Sequence, residues 1–289
     1  MDQVRYTAPD TLDAAIALLS DDKADSTIFA GGTDVMVQLH SDLIEPEVIV
    51  NVKNIPELTG IKETEGVYTI GAATPIAELQ EHRGFCKTWP GVIDGAELIG
   101  SVQVKGRSTM VGNLCNASPA ADSVPPSIAA GAIVNIAGPD GKRVAAVEDI
   151  VLGPRKTSLK KGEIIVSMTF PARSLHSGDA YLRLTPRTEM DIAIVGAAVN
   201  LTLDDKGICT AARVALGAVA PKFLLVQECA DALIGTKVGK NALDALGKAA
   251  SNAANPITDK RGTKEYRVKT ISVMARRAAE RAVKRAREN

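Results

Sequence analysis

The sequence predicts an α+β protein in three parts, and three observations carry that reading. The first 55 residues alternate short apolar strands with helical segments. Between residues 56 and 175, further strands stand among helix starts and Gly/Pro turns. From residue 176, two long β-rich runs meet at a polar turn, and helices dominate beyond Val226. The expected parts are therefore an α/β unit over 1–55, a second α/β unit over 56–175, and a sheet-plus-helices unit over 176–289.

In the first part, residues 4–6 read as a strand and Pro9-Asp10-Thr11 opens a helix, with Leu12, Ile16 and Leu19 on one face. Thr27–Ala30 is a strand that runs into Gly31-Gly32-Thr33-Asp34. Val35–Leu39 then reads as helix and Glu47–Val52 as strand. In the second part, Val67–Ile70 is a strand ending at Gly71. Thr74-Pro75 predicts a helix start, with a hydroxyl cap and Pro at the first helical position. Pro90–Ile99 reads as helix and Thr109–Asn113 as a glycine-bearing loop. Ala121–Ala130 is helical if Pro125 and Pro126 fall in its first turn. Ala132–Ala137 and Glu163–Phe170 are strands, and Pro139-Asp140-Gly141 turns a hairpin into Arg143–Ala145.

In the last part, Ile192–Leu203 and Ile208–Leu216 are strands joined by the turn Asp204-Asp205-Lys206-Gly207. Ile271, Met274, Ala275, Ala278 and Ala282 form one apolar stripe on a terminal helix. Arg276, Arg277, Arg281, Lys284 and Arg285 cover its other side. That basic cluster reads first as a solvated face and second as a docking face for a partner.

Composition narrows the function. The 34 basic and 34 acidic residues cancel, so no long-range field draws the chain to nucleic acid or a membrane surface. Aromatics at 3% are too few for base-stacking platforms. A net charge of zero protects poorly against association, which suits a chain held in a complex. The longest uncharged stretch, between Asp122 and Asp140, contains Pro125, Pro126 and Gly131, and is not a membrane span. The start of the chain carries no apolar core of a signal peptide. Cys86, Cys115, Cys209 and Cys229 show no metal spacing and read as reduced thiols of a cytoplasmic protein. His40, His82 and His176 read as solvated surface residues, and no catalytic triad can be assembled from them.

Two segments carry the chemistry. In Ile28-Phe29-Ala30-Gly31-Gly32-Thr33-Asp34-Val35 a strand ends, two glycines turn the backbone, and a hydroxyl precedes a helix. Glycines permit positive φ and close approach, while backbone N–H groups at a helix start hold an anion. The same pattern also serves as an ordinary strand–helix turn. G-x-G-x-x-G and the Gly-Lys-Ser/Thr of a Walker loop are both absent, which disfavours the usual nicotinamide dinucleotide and ATP folds. The second segment, Thr109-Met110-Val111-Gly112-Asn113 through Asn116-Ala117-Ser118-Pro119-Ala120-Ala121-Asp122, offers small residues, amides and hydroxyls to the same ligand. Asp122 is either an acceptor for sugar hydroxyls or a helix cap.

Six motifs then occur in a recognisable order. They are Ala30–Asp34, Thr69–Thr74, Gly112–Asp122, Gly153-x-Arg155-Lys156-Thr157, Arg187-x-x-x-Asp191-Ile192-Ala193 and Asp259-x-Arg261-Gly262-x-x-x-Tyr266-Arg267. Together they resemble the FAD-binding medium subunit of the molybdenum hydroxylases, the family of xanthine dehydrogenase and aerobic carbon monoxide dehydrogenase, over nearly the whole chain.

The resemblance implies a two-part FAD-binding fold similar to vanillyl alcohol oxidase and the cell-wall reductase MurB, completed by a C-terminal antiparallel sheet with helices. It implies non-covalent FAD, with Ile28, Phe29, Ala30, Gly31, Gly32, Thr33, Asp34 and Val35 around the pyrophosphate. Thr109, Met110, Val111, Gly112 and Asn113 would hold it from the other side, with Ser118 nearby. Asp122 would meet the ribityl or phosphate end and Ile70 the isoalloxazine. Ile165 would offer the flavin a backbone contact, Arg183 a polar one, and Ile192 would stand where some relatives place an aromatic over the ring. No residue of this chain is expected to be catalytic or to bind metal.

The implied role is an electron relay. A large molybdopterin subunit hydroxylates substrate, a small subunit with two [2Fe–2S] clusters carries electrons to the FAD, and an external acceptor (NAD, oxygen or a quinone) removes them. The implied assembly is a dimer of heterotrimers. A self-contained flavin oxidase and an assembly subunit without flavin are the alternatives. Two departures stand out. Val111 takes a place where the family usually has glycine, and the cysteine-rich insertion of the 4-hydroxybenzoyl-CoA reductase branch is missing. If the second segment still cradles phosphate, Val111 must take a β or helical backbone with its side chain turned into the protein, and Gly112 must supply any special geometry.

Overall fold

The computed structural model describes residues 4–289. Arg5–Thr7, Val48–Asn51 and Ser26–Phe29 form a three-stranded parallel sheet with Val48–Asn51 in the middle. Parallel neighbours require crossovers. The helices Leu12–Ser20 and Val35–His40 fall within those connections. Thr11 starts the first helix, because its hydroxyl accepts the Ala14 N–H. That helix buries Ala15 and Leu19 in the same apolar cluster as Val48 and Val50.

The second sheet is antiparallel, in the order Ile61–Thr64, Val67–Gly71, Ile164–Phe170, Ile133–Gly138, Gly141–Ala146. Its central strand Ile164–Phe170 is buried on both faces, which its apolar run Ile-Ile-Val-Ser-Met-Thr-Phe allows. Gly141 takes φ 108° just after the Pro139-Asp140 turn, as the hairpin reading requires. Ile61–Thr64 was not legible as a strand. It is an edge whose Lys62 and Glu63 face solvent, a composition that suits an edge and hides its strand character.

Short helices Ile76–Glu81, Arg83–Thr88 and Pro90–Ala96 cover this sheet, around an edge-to-face chain of Tyr68, Phe85 and Phe170. Two local expectations are corrected here. Thr74 does not cap the helix it precedes: its hydroxyl donates to the Gly60 carbonyl, and Pro75 at φ −64°, ψ 146° takes the cap position. His82 is not a free surface residue, because its Nδ1 accepts the Phe85 N–H and so starts the helix Arg83–Thr88. Pro125 and Pro126 do fall in the first turn of a helix, Val124–Ala129, where their missing N–H groups cost nothing.

The third sheet is antiparallel, in the order Ser177–Leu184, Val195–Leu203, Cys209–Gly217, Leu224–Leu225. Asp204 Oδ1 accepts the N–H groups of Lys206 and Ile208, and Gly207 takes φ 73°, which closes the turn between the two long strands. The strand Ser177–Leu184 gave no signal in the sequence, because SGDAYLRL lacks alternation.

The helix Lys264–Glu288 lies across this sheet and buries Ile271, Met274, Ala275, Ala278 and Ala282, the stripe read from the sequence. Small residues let backbones come close. A Cβ added to Gly178 would stand 2.0 Å from the Ala282 carbonyl oxygen and 2.5 Å from the Ala286 nitrogen. The basic side of this helix is not simply solvated. Arg285 donates through both terminal nitrogens to Asp94, at 2.6 and 2.9 Å, and to the Asp179 carbonyl at 2.8 Å. That fork ties the last turns of the chain to the helix Pro90–Ala96 of the second unit.

Gly178→Ala should therefore destabilise the protein by about 3 kcal/mol, since its methyl meets helix backbone that cannot rotate away. Denaturant unfolding measures this, and a variant as stable as wild type would show that the helix does not rest on Gly178.

Candidate functional site

A cavity of about 480 Å³ opens between the first and second units, within the size range of cofactor pockets (about 300–1,000 Å³). Ile28, Val35, Leu43, Ile44, Val52, Leu58, Ile99, Leu159, Ile164 and Ile165 make its apolar wall. Thr33, Asp34, Gln38, Ser108, Thr109, Asn113, Asn116 and Arg155 supply the polar groups, and Arg155 is the one cationic side chain among them.

The glycine segment forms one side. Gly32 takes φ 74°, and a Cβ there would lie 2.3 Å from the Phe29 ring, while a Cβ on Gly31 would lie 2.1 Å from the Arg107 carbonyl oxygen. Glycine is thus required at both places by the protein's own packing, beyond the approach of any ligand. The first bond of the following helix runs from the Met36 N–H to the Gly32 carbonyl at 2.9 Å. As a result, the N–H groups of Gly31, Gly32, Thr33, Asp34 and Val35 donate to no protein acceptor among the described residues. All five residues line the cavity. A run of unpaired N–H groups at a helix start is an anion-binding nest. Asp34 makes no capping hydrogen bond, and burial pushes its carboxyl pKa up.

The second segment is a helix, Met110–Cys115, and not the loop expected. Thr109 caps it: its hydroxyl accepts the Gly112 N–H at 2.9 Å and its carbonyl the Asn113 N–H at 3.0 Å. Val111 has the helical backbone anticipated for it and is nearly buried, in the core and along the cavity wall. Gly112 needs no left-handed geometry. A Cβ there would stand 2.9 Å from Thr109 Oγ1, so the absence of a side chain keeps the cap short. Among the described residues, the Val111 N–H has no protein acceptor and remains for a ligand.

Ile28, Ala30, Gly31, Gly32, Thr33, Asp34, Val35, Thr109, Val111, Gly112, Asn113 and Ile165 are thus gathered on one cavity. The other expected residues lie off its wall. The Phe29 ring underlies Gly32, with Lys53 Nζ 4.4 Å from its centroid. Met110 is buried in the core, and Ile70 is buried in the second sheet opposite Met168. Ser118 Oγ accepts the Ala120 N–H. Ile192 is half exposed, next to Asp191.

Asp122 neither caps a helix nor faces the cavity. One carboxylate oxygen accepts the Tyr181 hydroxyl at 2.8 Å, and the other is ion-paired with Arg183. Burial pushes Asp122 up to about 6, against the opposing pull of Arg183 and Tyr181. Asp122 and Arg183 are therefore partners of each other across two units of the fold.

Several wall residues escaped the sequence reading. Gln38 donates to Asn116 Oδ1 at 2.9 Å and latches the first segment to the second. Asn116 and Arg155 stood inside quoted motifs, without assigned roles. Cys115 also stood inside a quoted motif without a role, while Ser108, Leu43, Ile99 and Leu159 carried no signal, because only the fold brings them to the wall. The donor set suits a dinucleotide: a nest for the diphosphate, amides for polar edges and an apolar wall for rings. No cluster of metal-ligating side chains occurs among the described residues, and no helix among them is long and apolar enough to cross a membrane.

Gly32→Val should lose the ligand, and it should also lower the stability of the ligand-free protein by at least about 1 kcal/mol, because a β-branched residue is strained at φ 74° and meets Phe29. Ligand content and unfolding of the purified variant test both effects. A fully loaded, wild-type-stable variant would contradict the geometry. For Asp34 the folded pKa is raised, so the charged form is penalised above that value and the penalty vanishes below the unfolded pKa of about 4. Asp34→Asn should stabilise the ligand-free protein near neutral pH, with the gain disappearing as pH falls toward 4. A gain independent of pH would show that desolvation of the charge is not its source.

Comparison with known proteins agrees with this geometry. Residues 2–173 match the model of the FAD binding domain in molybdopterin dehydrogenase, and residues 180–282 match the CO dehydrogenase flavoprotein C-terminal domain. The chain is 32% identical over 284 residues to a xanthine dehydrogenase FAD-binding subunit of Escherichia coli O157:H7, covering 98% of this chain and 97% of that one. It is 33% identical over 282 residues to the carbon monoxide dehydrogenase medium chain of Afipia carboxidovorans, with the same coverages of 98% and 97%. Among solved structures, a chain of the reconstituted CO dehydrogenase from Oligotropha carboxidovorans superposes with a TM-score of 0.93 at 32% identity, covering 98% of both chains. A chain of quinoline 2-oxidoreductase from Pseudomonas putida 86 gives 0.91 at 27% identity, again over 98% of both. The cavity, its nest and the matches over both halves lead to one conclusion: this chain belongs to the FAD-binding medium subunits of the molybdenum hydroxylases.

Proposed function

We propose that this chain carries FAD as the electron relay of a molybdenum hydroxylase. It receives electrons from [2Fe–2S] clusters of a small partner subunit and passes them to an external acceptor. A large molybdopterin subunit, the third member of the heterotrimer, performs the hydroxylation. The observation that carries this reading is the run of unpaired N–H groups from Gly31 to Val35 on a cavity of dinucleotide size. The relatives named above, a dehydrogenase FAD-binding subunit and a medium chain, support the division of labour.

When bound, the flavin supplies the exchange between one-electron and two-electron carriers that a relay needs. The chain's own residues do the rest. The nest neutralises the diphosphate through N–H dipoles, and Arg155 at the wall adds a formal positive charge. Ile164 and Ile165 present the start of the second sheet's central strand to the cavity. The chemistry of the wall also supports non-covalent attachment. Among the described residues its one thiol is Cys115, which is half-buried and whose pKa desolvation pushes up to about 12, so it supplies almost no thiolate. Among the described residues, neither histidine nor tyrosine lines the cavity. The four cysteines are unpaired, which suits a reducing cytoplasm.

Acid precipitation of the purified protein should release all of its flavin as FAD. Yellow pigment retained by the washed pellet would refute non-covalent attachment, and a colourless protein with no FAD in the supernatant would refute the relay itself. Purified from its native host, the chain should arrive with molybdopterin and iron–sulfur subunits in equal amounts. Native mass spectrometry finding only the lone chain would count against the assembly.

A further inference from the structure

Ser108 follows the short helix Val102–Lys105 and directly precedes the capping residue Thr109. Both of its backbone groups are used inside the protein. Its N–H donates to the Val104 carbonyl at 2.8 Å, and its carbonyl accepts the Ile76 N–H at 2.9 Å. Its side-chain hydroxyl is buried and has no hydrogen-bond partner. The residue is only 4% exposed, yet it lines the cavity. Other side chains with unpartnered buried atoms, such as Trp89, Arg173, Asn200 and Arg267, belong elsewhere in the fold. Among the described residues, Ser108 is the one cavity-lining residue with this defect.

Its neighbourhood indicates what the missing partner is. A Cβ built on Gly31 would fall 3.0 Å from Ser108 Cα, so Ser108 packs against the first residue of the nest. The N–H groups beside it all await an acceptor. A hydroxyl added to such a set of unspent donors can donate to the same anion. A buried hydroxyl without a partner is costly and calls for a specific reason. A ligand that arrives with acceptor oxygens provides one.

We propose that the Ser108 hydroxyl is a further donor to the FAD diphosphate, acting beside the N–H groups of Gly31–Val35. This rests on the flavin reading above, and it adds a residue that positions the phosphate end and takes no part in electron transfer. Ser108 is unpartnered in the ligand-free protein and satisfied in the loaded one. Its removal should therefore affect the two states in opposite directions, a pattern that a purely structural serine cannot produce.

The test uses the purified full chain, stripped of flavin and reconstituted, with Ser108→Ala and Ser108→Gly beside wild type. FAD titration followed by flavin fluorescence should give about tenfold weaker binding in both variants, the expected effect of one lost hydrogen bond to a charged group. The ligand-free Ser108→Ala protein should melt at or above the wild-type temperature, and the loaded variant below loaded wild type. The phosphorus resonances of bound FAD should shift in the variant, while the visible bands of the flavin stay in place. Unchanged affinity in both variants would overturn the proposal, as would unmoved phosphorus resonances. Equal destabilisation of the free and loaded states would also overturn it, by assigning Ser108 a structural role. Failure of wild type itself to take up FAD would refute the underlying flavin reading, and would be seen before any variant is compared.

Discussion

Five successive backbone N–H groups, Gly31 to Val35, are left without a protein acceptor, and the first two units of the fold are arranged around keeping them so. The parallel sheet delivers Phe29 to the end of a strand, and Gly32 at φ 74° turns the chain before the helix Val35–His40 begins. That geometry aims the N–H groups outward from the helix start, where its dipole also favours negative charge. The Phe29 ring beneath Gly32 and the Arg107 carbonyl against Gly31 leave the loop no room to relax. The turn is thus held open by packing, and a bound anion finds its donors already in place.

The opposite wall is fixed by different means. Thr109 spends its hydroxyl and carbonyl on its own helix, so the second segment contributes a rigid helix start in place of a flexible glycine loop. This explains how Val111 is tolerated: a β-branched residue is unwelcome at positive φ but comfortable in the first turn of a helix. The Gln38–Asn116 hydrogen bond then links the two segments across the cavity.

The third unit holds the second through charges buried at their junction. Asp122 meets Tyr181 and Arg183, Arg173 meets Asp179 and stacks 4.7 Å over Trp89, and Arg285 grips Asp94. Each pair joins residues far apart in sequence or anchors a strand edge. Burial of such pairs adds little net stability, but breaking one leaves a stranded charge, so they specify how the units sit together more than how tightly. The apolar load is carried by the alanine-rich face of the helix Lys264–Glu288 on its sheet.

Much of this was legible in the sequence. Local patterns marked the parallel-sheet unit, the Pro139–Gly141 hairpin, the prolines of the helix Val124–Ala129 and the stripe on the last helix, because each rests on contacts a few residues apart. The glycine turn was legible for the same reason, since a strand end, two glycines and a helix start are consecutive, although that pattern alone also fits an ordinary strand–helix turn. Asp122 and Arg183 could not be read this way. Each looked like a ligand group, and only the third unit's sheet, folding back on the second, makes them partners of each other. Ser108, Gln38 and Arg155 reach the cavity through packing between distant segments, which no local spacing encodes. The sequence by itself determined most of the elements and the glycine turn before the helix Val35–His40, since short-range sterics and hydrogen bonds decide both. Only the tertiary structure decided which buried polar groups satisfy one another and which are left for a ligand, since that depends on surfaces that meet after the chain has folded.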